Sequence, residues 1–170
     1  MLGGMPPFFI AAGPEHAMAM AEYRAPIGTL RLYYTEGRLA RVSIGGQGED
    51  PPREFGTTRP LHEQVVSWLD AFFGRDPLPP LPPLEPATTP FRSRLRQALL
   101  AIPWGQTLTY GALARQLGSS PRAVGQACRA NPIPLLVPCH RVVSAGGVGG
   151  FMGRGRSDIK RWLLEHERGG

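Results

Sequence analysis

Residues 108–131, LTYGALARQLGSSPRAVGQACRAN, read as two short helices joined by a tight turn. Thr109 stands where an N-cap belongs and Gly118 where a left-handed stop belongs, so the first helix is expected over about Tyr110–Leu117. Ser120 caps the next helix, and Pro121 takes its first position, where a missing N–H costs nothing. Leu113, Leu117, Val124 and Ala127 supply an inner apolar face, with small Ala114 at the crossing. The pair is a helix-turn-helix candidate. Most helix pairs bind no DNA, so the surroundings decide what this one means.

Those surroundings are basic. The first 86 residues carry seven Arg and ten carboxylates, whereas the rest carry eleven Arg and Lys160 against three carboxylates. No Asp or Glu occurs from Pro86 to Ser157. All but one of the 19 basic residues are Arg, a bias that explains Arg over Lys but not the missing acids. A long carboxylate-free basic stretch suits a polyanion, with DNA or RNA the leading candidate.

Outward from the helix pair, Phe91, Leu95, Leu99 and Ile102 form one face of a further helix, ended by Pro103. Before it, PLPPLPPLEPATTP (77–90) packs seven prolines into fourteen residues and is expected to be a stiff, extended connector. A proline-rich ligand for another protein is the rarer reading. YRAPIGTLRLYYTEGRLARVSIGG, from Tyr23, reads as an antiparallel meander with turns at Pro26–Ile27–Gly28 and Glu36–Gly37. LHEQVVSWLDAFFG has helical spacing at Leu61, Val65, Trp68, Leu69 and Phe72, and Gly74 is expected to close it. The 170 residues therefore divide into a loose start (1–20), a small α/β domain (21–76), the proline-rich linker (77–90) and a carboxy-terminal domain (91–170), an α+β chain overall.

Several classes drop out. No apolar run approaches the length of a membrane span, and no basic residue precedes Arg24 to make the start a good signal peptide. Cys128 and Cys139 alone cannot build a disulfide framework or a four-cysteine zinc site. A cytoplasmic protein without membrane contact is expected.

The chemistry sits in NPIPLLVPCHRVVSAGGVGGFMG (131–153). Asn131–Pro132 breaks the helix, and a short buried segment delivers Cys139, His140 and Arg141 to a glycine-rich turn. An inert buried thiol is the ordinary fate of a lone cysteine beside an apolar run. Here an imidazole and a guanidinium adjoin it, and either a base or a positive field promotes the thiolate. Cys128, mid-helix among apolar neighbours, is expected to be a core residue.

Val137-Pro138-Cys139-His140-Arg141-Val142-Val143 resembles the active-site signature of the O6-alkylguanine–DNA alkyltransferases, also called methylated-DNA–protein-cysteine methyltransferases. IPWGQTLTYGALA (102–114) and RAVGQACRANPIP (122–134) resemble that family's helix-turn-helix and hinge, and KRWLLEHE (160–167) its closing helix. The resemblance is strong over about 87–168 and weak over 23–76. It implies a ribonuclease H-like amino-terminal domain and a winged helix-turn-helix-like carboxy-terminal one. It implies that Cys139 accepts the alkyl group from O6 of guanine, and perhaps from O4 of thymine. His140 would act as base through a bridging water, Glu167 would hold His140, and Asn131 would be the hinge amide. Tyr110 would crowd a phosphate and help rotate the damaged nucleotide, while Arg122 would fill the vacated stack. Ala123 and Gly125 would permit close approach to the minor groove of double-stranded alkylated DNA. The carbonyls of Cys139 and Val142 would read the guanine amino group, and Lys160 belongs to the site's surroundings. No cofactor or metal is implied, and a monomer is expected.

Two positions depart from the pattern. Phe151 stands where the family usually has Tyr, and Met152 where it often has Ser or Ala, which bears on the alkyl size accepted. Three rivals make different predictions. A binding-only sensor of alkylated DNA would gain no mass on Cys139, and a cysteine hydrolase would turn over repeatedly. A zinc nucleobase deaminase would need P-C-x-x-C and H-x-E elements, which the sequence lacks.

Overall fold

A computed structural model describes residues 19–45, 58–150 and 156–169. The chain forms two compact units, residues 1–85 and 86–170. Among the described residues no helix is long and apolar enough to cross a membrane.

In the first unit, β1 (Ala19–Ala25), β2 (Gly28–Thr35) and β3 (Arg38–Ile44) form an antiparallel meander in the order β1-β2-β3. Both hairpin turns are tight, and Gly37 at φ 76° supplies the left-handed residue of the second. The first strand starts earlier than expected: Ala19 and Met20, assigned to a loose start, are buried in the sheet. Helix α1 (Arg59–Gly74) buries Leu61, Val65, Trp68, Leu69 and Phe72. Its hydrogen bonds to the sheet run from Tyr34 Oη to His62 Nδ1 (2.7 Å) and from Tyr23 Oη to Asp70 Oδ1 (2.6 Å). Gly74 ends the helix as expected, but not as its left-handed residue. It is the last helical residue, and Arg75 takes the left-handed position at φ 59°, with its N–H bonded to the Ala71 and Phe72 carbonyls.

The proline run does more than connect. Leu39 N–H donates to Pro83 O, and Glu85 N–H donates to Leu39 O, both at 2.9 Å, so residues 83–85 line the edge of β3. Proline can offer a ladder only its carbonyl, and an edge is where that suffices. Thr35 Oγ1 then donates to the buried Glu85 carboxylate at 2.6 Å.

In the second unit, α2 (Pro90–Leu100), α3 (Tyr110–Leu117) and α4 (Pro121–Arg129) pack on one another through Leu95, Leu99, Leu113, Ala114, Leu117, Val124 and Ala127. The caps follow the sequence signals. The side chains of Thr89, Thr109 and Ser120 accept from the backbone N–H of Arg92 (3.1 Å), Ala112 (3.0 Å) and Ala123 (3.1 Å). Gly118, at φ 62°, ends α3. Two short strands, β4 (Leu108–Thr109) and β5 (Val142–Val143), pair in parallel, Thr109 opposite Val143. This pairing sets the start of α3 beside the segment that follows Cys139. Helix α5 (Ser157–Arg168) closes the unit on Ile159, Leu163 and Leu164.

Candidate active site

The stretch between α4 and β5 is a buried loop held by one side chain. Asn131 Nδ2 donates to Val137 O (3.0 Å), while its Oδ1 accepts from Ile133 N–H (3.1 Å), so a single amide closes both ends of residues 133–137. Inside this loop Leu135 takes φ 77°, a conformation disfavoured for a branched side chain, and its side chain is buried. The loop ends in a 3₁₀ turn, Cys139–Arg141, whose three residues are all buried.

His140 and Arg141, adjacent in that turn, share one partner on α5, the Glu167 carboxylate. His140 is fully buried, and its Nε2 lies 2.7 Å from Glu167 Oε2 on α5. Arg141 grips the same carboxylate with two bonds of 2.8 Å, Nε to Oε1 and Nη2 to Oε2, and donates Nη1 to Ile102 O at 2.7 Å. Burial pushes the Glu167 carboxyl up, but the hydrogen bonds and charges of His140 and Arg141 outweigh it and hold the group at about 2. Burial pushes His140 down, Arg141 and Lys160 push the same way, and Glu167 offsets only part of this. His140 is therefore a neutral imidazole at neutral pH, with the form a base requires.

Cys139 differs from the sequence expectation in one respect. Burial raises its thiol, and the opposing influences are the Asn131 side chain, the Lys160 charge and its own backbone N–H. Arg141 is not the positive field beside it, because that guanidinium is committed to Glu167 and Ile102. The facing cation is Lys160. Its side chain is buried on the inner stripe of α5, and Nζ donates to Tyr110 Oη (3.2 Å) and to Gly150 O (3.1 Å). Lys160 also stands 5.3 Å from the centre of the Tyr110 ring. Gly149 fits between these groups only as glycine: its φ is 82°, and a β-carbon there would lie 3.2 Å from the Tyr110 ring.

Cys139 opens into a cavity of about 830 Å³, within the range of small-molecule sites. Of the residues expected to meet DNA, Tyr110, Arg122 and Gly125 line it and Ala123 does not; Arg115 and Cys128 line it as well. Cys128 is buried in α4 as expected, but its thiol also walls the cavity, and burial pushes it up to about 12, with Cys139 adding to the shift. Burial likewise raises the Tyr110 hydroxyl to about 12. Arg122 is exposed, Ala123 is half-buried on α4, and Val142 is buried in β5. Phe151 and Met152 lie outside the described residues. Among the described residues no group of three or more His, Cys, Asp or Glu is placed to hold a metal ion.

Gly149 and the Arg141 clamp were missed in the sequence, and Lys160 was placed only in the site's surroundings. Lys160 had a signal. It shares its stripe with Ile159, Leu163, Leu164 and Glu167, and a lysine and a glutamate on an apolar helical face call for buried partners.

The solved O6-methylguanine methyltransferase of Mycobacterium tuberculosis superposes with a TM-score of 0.73 at 33% identity, covering 88% of this chain and 92% of that one. The chain belongs to the 6-O-methylguanine DNA methyltransferase family. The family's DNA-binding-domain model matches residues 90–169, which hold the cavity, Cys139 and Glu167. A DNA base-flipping protein from Thermus thermophilus is 39% identical over 144 residues, 84% of this chain and 95% of its own. The methylated-DNA–protein-cysteine methyltransferase of Saccharolobus islandicus is 46% identical over 99 residues. That match spans 58% of this chain and 64% of the relative's length. The Mycobacterium tuberculosis family member has also been solved in complex with DNA, and that structure matches with a TM-score of 0.73 at 34% identity.

Proposed function

We propose that this family member repairs DNA by taking a methyl or small alkyl group from O6 of guanine onto Cys139 Sγ, once per molecule. The observation that carries the reading is the buried series Cys139, neutral His140 and ionised Glu167 at a cavity walled by the capped helix pair. A base stacked in a duplex cannot present O6 to a buried thiol, so the nucleotide must be flipped out. Tyr110 and Arg122 line the cavity where a flipped nucleotide would enter, Tyr110 to bear on the sugar-phosphate and Arg122 to fill the stack. Ala123 and Gly125 leave the α4 surface low enough to lie against a minor groove.

His140, through a bridging water, would take the thiol proton, and Glu167 would stabilise the imidazolium that results. Lys160 would steady the thiolate. The sulfur then attacks the alkyl carbon, the C–O6 bond breaks with its electron pair left on guanine, and a proton reaches the purine ring. The thioether has no comparable leaving group. Cys128 cannot resolve it, being a protonated buried thiol. The ribonuclease H-like character of the meander unit and the winged form of the helical unit rest on the same family resemblance. Phe151 and Met152 would shape the alkyl end of the pocket.

A titration separates this reading from its rivals. Duplex carrying O6-methylguanine should be repaired to a plateau of one lesion per protein, however long the incubation. Repeated turnover would indicate a hydrolase, and binding without repair a sensor.

A further inference from the structure

We propose that Arg115 is a phosphate-gripping residue at the rim of the cavity, taking a phosphodiester of the DNA strand that carries the flipped nucleotide. The proposal rests on the DNA reading above and adds to it a contact that the motif comparison did not assign.

The pose of Arg115 is unusual for its position. It lies in the last turn of α3, where a basic side chain normally serves the helix's terminal carbonyls. That task is already done by another residue: Arg94 Nη2 donates to Leu117 O at 2.7 Å. Arg115 instead runs back along the helix, the direction helical side chains favour, and covers Gly111 one turn earlier. A β-carbon at position 111 would lie 3.6 Å from Arg115 Nη1. A long side chain at 111 would therefore compete for the same space, and glycine leaves it to the guanidinium. The charge arrives at the cavity wall next to Tyr110, and both residues line the cavity.

No carboxylate among the described residues answers that charge. Neither α3 nor α4 has an acidic residue in its first turn. Its pose sets a cation against the positive end of α3, so the contact is not one the helix gains by. Arg122 and Arg129 stand two turns apart on α4 and line the same cavity, which gives its mouth three exposed arginines. A row of negative charges spaced along a backbone suits this arrangement better than a single small anion does. Arg115 differs from Arg122 in task. The first meets a phosphate that is present whether or not a base is flipped, and the second acts in the extruded state.

The test is the salt dependence of binding to an undamaged duplex, read by fluorescence anisotropy. Each phosphate neutralised contributes about 0.9 to the slope of log K against log salt concentration. Arg115→Ala should lower that slope by about one phosphate's worth, and Arg115→Lys should retain it, since a point charge suffices for one phosphate. Arg24→Ala, which removes an exposed arginine of the first unit, should leave the slope unchanged. Melting temperatures equal to that of the unsubstituted protein show that each variant is folded. An unchanged slope in Arg115→Ala, or an equal drop in Arg24→Ala, overturns the assignment while leaving the repair reading in place. If the unsubstituted protein fails to bind duplex at all, the DNA reading falls and this inference with it.

Discussion

At the scale of single residues, the site turns on one carboxylate shared by a guanidinium and an imidazole. Glu167 holds a permanent guanidinium on one side and a titratable imidazole on the other, all three groups being buried. Its folded pKa is about 2 against an ordinary 4.5, so its ionised form is favoured in the folded state. The stability it contributes is fully present above about pH 4.5 and is lost as pH falls through about 2. Glu167→Gln should flatten that acid limb of the stability curve. It should also destabilise the protein by about 3–5 kcal/mol, because Arg141 would be left as an unpaired buried charge. Urea melts at a series of acid pH values check both points; an unchanged limb would mean that the ion pair is not formed. His140→Ala leaves Arg141 and Glu167 paired, and should slow alkyl transfer by about 10²–10⁴-fold. The pairing of His140 with Glu167 was legible in the sequence through the family motif. Arg141's part was not, because its place beside Cys139 suggests a field on the thiol, and adjacency in sequence does not show that it reaches a carboxylate on a distant helix instead.

At the scale of elements, the strongest signals were the caps. Thr109, Gly118, Ser120 and Pro121 each act on their own backbone, so their meaning survives whatever packs around them. The helix pair was therefore readable to the residue. Contacts between distant segments were not. Two-residue strands such as β4 and β5 leave no periodicity to detect, and the docking of residues 83–85 on β3 depends on an edge that local sequence does not describe. Leu135 at φ 77° is likewise imposed by the loop that Asn131 closes. Thr109 joins both kinds of information, since it caps α3 and pairs across to Val143. Thr109→Ala should cost about 1 kcal/mol through the lost cap, and Thr109→Ser should recover most of it. Thermal unfolding of the three proteins gives the comparison, and equal stabilities would mean that the strand pairing alone fixes the start of α3.

At the scale of the whole molecule, charge and chemistry occupy the same stretch. The carboxylate-free run from Pro86 to Ser157 contains α2, α3, α4 and the Cys139 turn, and the first acids beyond it lie on α5. Glu167, alone among those acids, turns inward to the site. The family match also covers this unit, whereas the meander unit was less legible as to family. Two cysteines wall one cavity, so the central claim reduces to which sulfur receives the alkyl group, and whether either does. Intact mass spectrometry after mixing with duplex containing O6-methylguanine answers this directly, followed by peptide mapping. A single added methylene's mass, mapped to Cys139 and absent in Cys139→Ala, is the predicted result. No mass gain while the lesion is bound, or a methyl on Cys128, would contradict the account.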